Sequence, residues 1–103
     1  MRIVVFGQQA FGKDVFDSLQ EAGENVVGVS TPKIADGKSD PLDDAAKDAG
    51  IPNIFTRELR NEEKFNEYLS WQPDLLVFAF VTDIVRQNVL DAATHGAIQY
   101  HPS

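Results

Sequence analysis

The run Asp74-Leu75-Leu76-Val77-Phe78-Ala79-Phe80, set off by Pro73, is the most apolar stretch of the chain. Side chains alternate between the two faces of a strand, so a run without polar alternation belongs to a strand covered on both sides, as inside a parallel sheet. Asp74 to Phe80 is therefore the predicted central strand. Residues 2 to 6 (RIVVF) form a β-branched run closed by Gly7, and Val26 to Ser30 and Ile51 to Phe55 read as further strands. Phe11, Val15, Phe16 and Leu19 recur at helical spacing before a stop at Gly23. Asp40-Pro41 supplies an N-cap and a first-turn proline for a helix carrying Leu42, Ala45, Ala46 and Ala49, ended by Gly50. Asn61, followed by Glu62 and Glu63, opens another helix, expected to bury Phe65 and Leu69. Thr82 or Asp83 is expected to cap a last helix with Val85, Val89 and Leu90, and Thr94-His95-Gly96 turns into a final strand, Ala97 to His101. This alternation, without internal repeats, predicts an α/β fold with a doubly wound, mostly parallel sheet.

Composition narrows the function. A length of 103 residues accommodates one domain at most. Sixteen Asp and Glu against nine Lys and Arg give a formal net charge of −7, and the densest basic grouping is only Arg57, Arg60 and Lys64. Nucleic-acid affinity rests on phosphate contacts, so a polyanion-binding face is disfavoured. A small anionic ligand remains compatible, because local backbone dipoles overrule global charge. The absence of cysteine removes disulfides, thiolate nucleophiles and thiolate metal sites, and fits a reducing compartment, by default the cytoplasm. No apolar run approaches the roughly 18 residues of a membrane span, so no membrane partner is expected.

Ligands of open parallel sheets bind beyond the carboxyl ends of the strands. That directs attention to Gly7–Gly12, Ser30–Pro41, Phe80–Asp83 and the residues from His101 to Ser103. Gly7-Gln8-Gln9-Ala10-Phe11-Gly12-Lys13-Asp14 approaches a P-loop, but Asp14 stands where a magnesium-holding hydroxyl is needed and its charge would repel phosphate. The dinucleotide pattern fails for want of a second glycine. What remains is a tight strand-to-helix turn, with Phe11 packed beneath it, that presents backbone N–H groups to part of a substrate. Strand alternation places Gln99 and His101 on one face, with Ile98 and Tyr100 on the other. A histidine moves protons near neutral pH, and an amide donates to a carbonyl oxygen without changing charge. The two histidines, His95 and His101, are poorly spaced for a metal, and none is expected. Phe80-Val81-Thr82-Asp83-Ile84-Val85 reads either as a capped helix start or as the rim of a pocket for a flat heteroaromatic ligand.

Taken together, these segments resemble the folate-dependent formyltransferases. HGAIQYHPS at residues 95–103 is similar to the strand and active-site turn of that superfamily, and GQQAFG to the turn of its methionyl-tRNA formyltransferase branch. GQQAFG, VVGV, DGKSDPL with its Ala-rich helix and GIP, and HGAIQYHPS occur in the order seen in the N-terminal hydrolase domain of 10-formyltetrahydrofolate dehydrogenases. The family's asparagine is Gln99 here, one methylene longer. The dehydrogenase branch also lacks asparagine at this position, so the departure leans away from an ordinary transferase.

The resemblance implies a Rossmann-like formyltransferase fold and 10-formyltetrahydrofolate as formyl donor. His101 would orient and protonate, and Gln99 would steady the formyl oxygen, while an amine or water attacks the formyl carbon. Phe80, Val81, Thr82, Asp83, Ile84 and Val85 would line the pterin pocket; Gly7, Gln8, Gln9 and Phe11, with Ser103, would face the acceptor. A tRNA enters as partner only in the transferase reading. The family continues past this pattern into Leu-Leu-Pro and a loop bearing a catalytic aspartate, so residues 1–103 are expected to be the N-terminal part of such a domain, truncated after Ser103 and inactive alone. The competing expectation is a non-catalytic module in which the β-α turns hold a small ligand and His101 is incidental.

Overall fold

The apolar run becomes an inner strand of a four-stranded, wholly parallel sheet in a computed structural model that describes residues 1–100. His101, Pro102 and Ser103 lie outside the described residues. The elements are β1 (Arg2–Gly7), α1 (Gln9–Glu21), β2 (Asn25–Ser30), α2 (Pro41–Asp48), a 3-10 turn (Thr56–Arg60), α3 (Glu62–Ser70), β3 (Leu75–Ala79), α4 (Gln87–Asp91) and β4 (Ala97–Tyr100). The strand order is β2-β1-β3-β4, with Val5 paired to both Val29 and Val77. β1 and β3 are inner strands, and alternation along each sends its side chains into two cores. Val4, Phe6 and Leu76 pack with Ile54, Tyr68, Trp71 and Val89 on one face; Ile3, Val5 and Val77 pack with Phe16, Leu42 and Ala46 on the other. Helices cover both faces, as doubly wound packing requires.

Caps fall where the side-chain chemistry puts them. The Asp40 carboxylate accepts from Leu42 N (2.9 Å) ahead of Pro41, and Asn61 Oδ1 accepts from Lys64 N (3.2 Å). Gly23 and Gly50 follow α1 and α2 at φ 77° and 71°, the left-handed geometry that ends a helix.

Three expectations are corrected. Ile51–Phe55 is not a strand: it runs beside β2 through Val29 N to Pro52 O (3.0 Å) and Ile54 N to Val29 O (3.1 Å), but makes a single bridge, Val29 to Asn53. Pro52 has no N–H to extend the ladder, and the chain bends into the 3-10 turn at Thr56. The last helix begins at Gln87 after an Arg86 cap, so neither Thr82 nor Asp83 caps it and Val85 precedes it. Phe80 adopts φ 63° and redirects the chain after β3, while the Thr82 hydroxyl is engaged by Gln8. In α3 the buried residue is Tyr68 rather than Leu69, which is 40% exposed, and Phe65 is only partly buried. Tyr68 can enter the core because its hydroxyl donates to Val89 O (2.8 Å), and its ring meets Phe6 and Trp71 edge-on.

Burial pushes the Tyr68 phenol above its ordinary pKa. Above about pH 10 the unfolded chain releases this proton and the folded chain retains it, so stability must fall as pH rises past that value. Urea unfolding between pH 7 and 11.5 should show this decline. Tyr68→Phe should flatten it and cost about 1 kcal/mol at neutral pH, where the Val89 carbonyl loses its donor. An equally steep alkaline decline in the variant would refute the assignment.

Candidate functional site

Three segments meet at the carboxyl edge of the two inner strands. Gly7, paired to Ala79, closes β1 with no room for a side chain, since a Cβ there would overlap the Ala79 carbonyl oxygen. The next residue, Gln8, is extended and 6% exposed; its N–H donates to Ala79 O (3.3 Å) and its amide exchanges hydrogen bonds with Thr82 Oγ1 (3.1 and 3.3 Å). Gln9 then turns left-handed (φ 60°), with its N–H held by Asp40 Oδ1 at 2.7 Å. Gly7 and Gln8 are thus committed to internal contacts, whereas Gln9 is exposed and Phe11 half-buried. Phe11 is part of the first turn of α1 and faces outward along that helix rather than packing beneath the turn. With Val15, Leu19 and Tyr100 it lines an open groove of about 530 Å³. Lys13, the residue that suggested a P-loop, points away along α1 and pairs with Asp17 at 2.6 Å. The hydrogen bond to Asp17, and then its charge, raise the Lys13 pKa.

Asp40 holds two elements at once, capping α2 through one oxygen and the Gln9 turn through the other. Asp40→Ala is expected to lose both bonds and about 1–2 kcal/mol of stability. Chemical denaturation should show the shift, with Asp40→Asn recovering part of it; a loss below about 0.5 kcal/mol would contradict the dual role.

The Phe80–Val85 segment presents a mixed surface. Phe80 and Ile84 are 40% and 73% exposed, Val81 and Val85 rest against the core, and Thr82 reaches back to Gln8. Asp83 buries Oδ2 with no hydrogen-bond partner among the described residues. Beside Ile84 and Val85 the described residues enclose only about 10 Å³, room for roughly one water. Among the described residues this segment supplies an apolar rim and no enclosed pterin-sized cavity.

In β4, Gln99 pairs with Phe78 and so shares the face of Phe6, whereas Ile98 pairs with Val77 on the opposite face. Tyr100 pairs with Ala79 and lines the α1 groove, as alternation predicts. Gln99 is exposed, like the rest of β4. His101 and Ser103, expected to complete the site, lie outside the described residues. Among the described residues no three His, Cys, Asp or Glu side chains gather as a metal site would need, and no helix is long and apolar enough to cross a membrane. Sequence reasoning missed two connections, from Asp40 to the Gln9 turn and from Gln8 to Thr82. Neither follows from local spacing, because the partners are 31 and 74 positions apart.

A parallel α/β sheet with paired turns at the ends of its inner strands is the frame of many ligand-binding domains, and comparison with known proteins narrows it. The family model described as "Formyl transferase" matches residues 1–103. The chain is 35% identical to the mitochondrial 10-formyltetrahydrofolate dehydrogenase of Homo sapiens, covering 100% of this chain and 12% of that protein. It is also 35% identical to the methionyl-tRNA formyltransferase of Marinobacter nauticus, again over 100% of this chain and 35% of the relative. Among solved structures, phosphoribosylglycinamide formyltransferase from Bacillus halodurans superposes with a TM-score of 0.73 at 18% identity, over 99% of this chain and 56% of the other. That likeness establishes a shared fold. The chain belongs to the formyl transferase family. It spans about an eighth of the dehydrogenase and about a third of the tRNA enzyme.

Proposed function

We propose that this domain binds 10-formyltetrahydrofolate and serves the transfer or hydrolytic release of its formyl group in one-carbon metabolism. The observation that carries the reading is the family match along residues 1–103, which includes every segment assigned to the site. Phe80–Val85 offers the pterin an apolar edge, with Phe80 and Ile84 already exposed. Gln99 donates an amide N–H to the formyl oxygen as an amine or water adds to the formyl carbon. The proton that the nucleophile gives up is passed by His101 to the folate nitrogen as its bond to that carbon breaks. Gln9, Phe11 and Ser103 face the acceptor, with Gly7 and Gln8 shaping their turn from beneath. Cysteine-free composition supports a reducing compartment, the cytoplasm.

Amide shifts during titration with 5-formyltetrahydrofolate test the binding half of this reading. Perturbations centred on residues 80–85 are expected; perturbations confined to other loops would exclude the pocket. The chemical half is tested by tetrahydrofolate release from 10-formyltetrahydrofolate in the intact protein, with and without amine acceptors. Folate binding without release in either condition would favour the non-catalytic module.

A further inference from the structure

Two non-glycine residues occupy the left-handed region at neighbouring strand ends, Gln9 after β1 and Phe80 after β3. Residues with a Cβ persist there only where their surroundings over-determine the backbone. Between these two bends stands Gln8. It sits at the N-cap position of α1 yet makes no capping bond through its side chain. Its amide instead crosses to the neighbouring loop and meets the Thr82 hydroxyl in a reciprocal pair, Nε2 donating at 3.1 Å and Oε1 accepting at 3.3 Å. An amide and a hydroxyl each donate and accept, so the pair satisfies both, and removing the Thr82 hydroxyl would strand the amide that Gln8 has taken out of water. The pair joins a buried residue under one loop to an exposed residue in the other.

We propose that Gln8 is a positioning residue that couples the two loops: through Thr82 it holds Phe80–Val85 and Gly7–Phe11 in one arrangement, so that a folate seated on the first sets the geometry of the turn facing the acceptor. The coupling to folate rests on the function proposed above; the clamp itself does not. Asp40 fixes the far side of the turn through Gln9 N, and among the described residues the Gln8–Thr82 pair is the side-chain hydrogen-bond link between the loops, beside the backbone bond from Gln8 N to Ala79 O.

The test uses the full chain, labelled with ¹⁵N, and the variants Thr82→Val, Thr82→Ser, Gln8→Met and Gln8→Met/Thr82→Val. Without ligand, hydrogen exchange at the Gln9 and Gly12 amides should quicken about 3- to 10-fold in Thr82→Val and in Gln8→Met, the factor expected for one lost hydrogen bond. Thr82→Ser should restore the original rates, and the double variant should exchange no faster than either single one. Unchanged rates in Thr82→Val, or multiplying effects in the double variant, would overturn the clamp. With 5-formyltetrahydrofolate, the original chain and Thr82→Ser should shift amides in both loops. Thr82→Val should keep the shifts at residues 80–85 and lose at least half of those at residues 8–11. Full retention of the latter would overturn the coupling. If even the original chain fails to respond to folate, the folate reading falls, and exchange alone decides the clamp.

Discussion

Gly7→Ala is expected to destabilise the chain by about 1–3 kcal/mol, the usual range for overpacking a well-filled interior. Space, not backbone conformation, is the cause: the new methyl would overlap the Ala79 carbonyl oxygen, which is main chain and cannot rotate aside. Relief requires β1 and β3 to separate where Gln8 N and Ala79 O are bonded. Amide shifts should therefore move in Gln8–Phe11 and in Phe80–Thr82 together. Gly37→Ala is the control, since nothing lies within 4 Å of its added Cβ and its cost comes from φ 78° alone. Urea midpoints and amide spectra of the two variants should separate the mechanisms. A Gly7→Ala chain with unmoved loop resonances would show that the strands do not meet as described.

His101→Asn is expected to lower formyl release by the intact protein by about 10²–10⁴-fold, the contribution typical of a general acid or base, with the KM for folate little changed. Gln99→Leu should cost a comparable or smaller factor, about 10²–10³-fold, as loss of one donor to a developing oxyanion does. Steady-state kinetics with 10-formyltetrahydrofolate would measure both. A His101→Asn protein within threefold of the original rate would remove His101 from the chemistry.

Much of the architecture was legible because each element obeys a local rule. The unbroken Leu75–Ala79 run could only be an inner strand, and Asp40-Pro41 and Asn61 cap the helices they announce. What the sequence hid depends on distant partners. Nothing local marks Tyr68 as more buried than Leu69; its hydroxyl must find Val89 O, 21 positions away. Nor does VVGV reveal that Gly28 lies under the Trp71 ring, where a Cβ would come within 2.5 Å of its carbons, or that the register with β1 slips between Ile3 and Val4. The site divides in the same way. Alternation along β4 placed Gln99 opposite in sense to Ile98 and Tyr100, but the bends at Gln9 and Phe80 carry no glycine signal, and Thr82 reads as a helix cap until its hydroxyl is seen bonded to Gln8.

The sheet order also fixes a sequence of events in time. Arg2 and Asp74 are joined by Arg2 N to Asp74 Oδ2 (2.7 Å) and Asp74 N to Arg2 O (2.8 Å), across 72 positions. The pairing of Arg2 with Asn25 closes a loop roughly a third as long, a difference of about 1 kcal/mol in closure entropy. β1 is thus expected to zip first to β2, an outer strand, and to wait for β3, its partner on the other side. During synthesis at about 5–20 residues per second, that wait lasts roughly 2–10 s, with the inner edge of β1 unpaired while β3 is still being made. Val26→Ala should accordingly slow refolding more than it speeds unfolding, and Val77→Ala the reverse. A nascent chain of this topology therefore shows an unpaired strand edge until its third strand is made, the kind of edge that invites pairing with other chains.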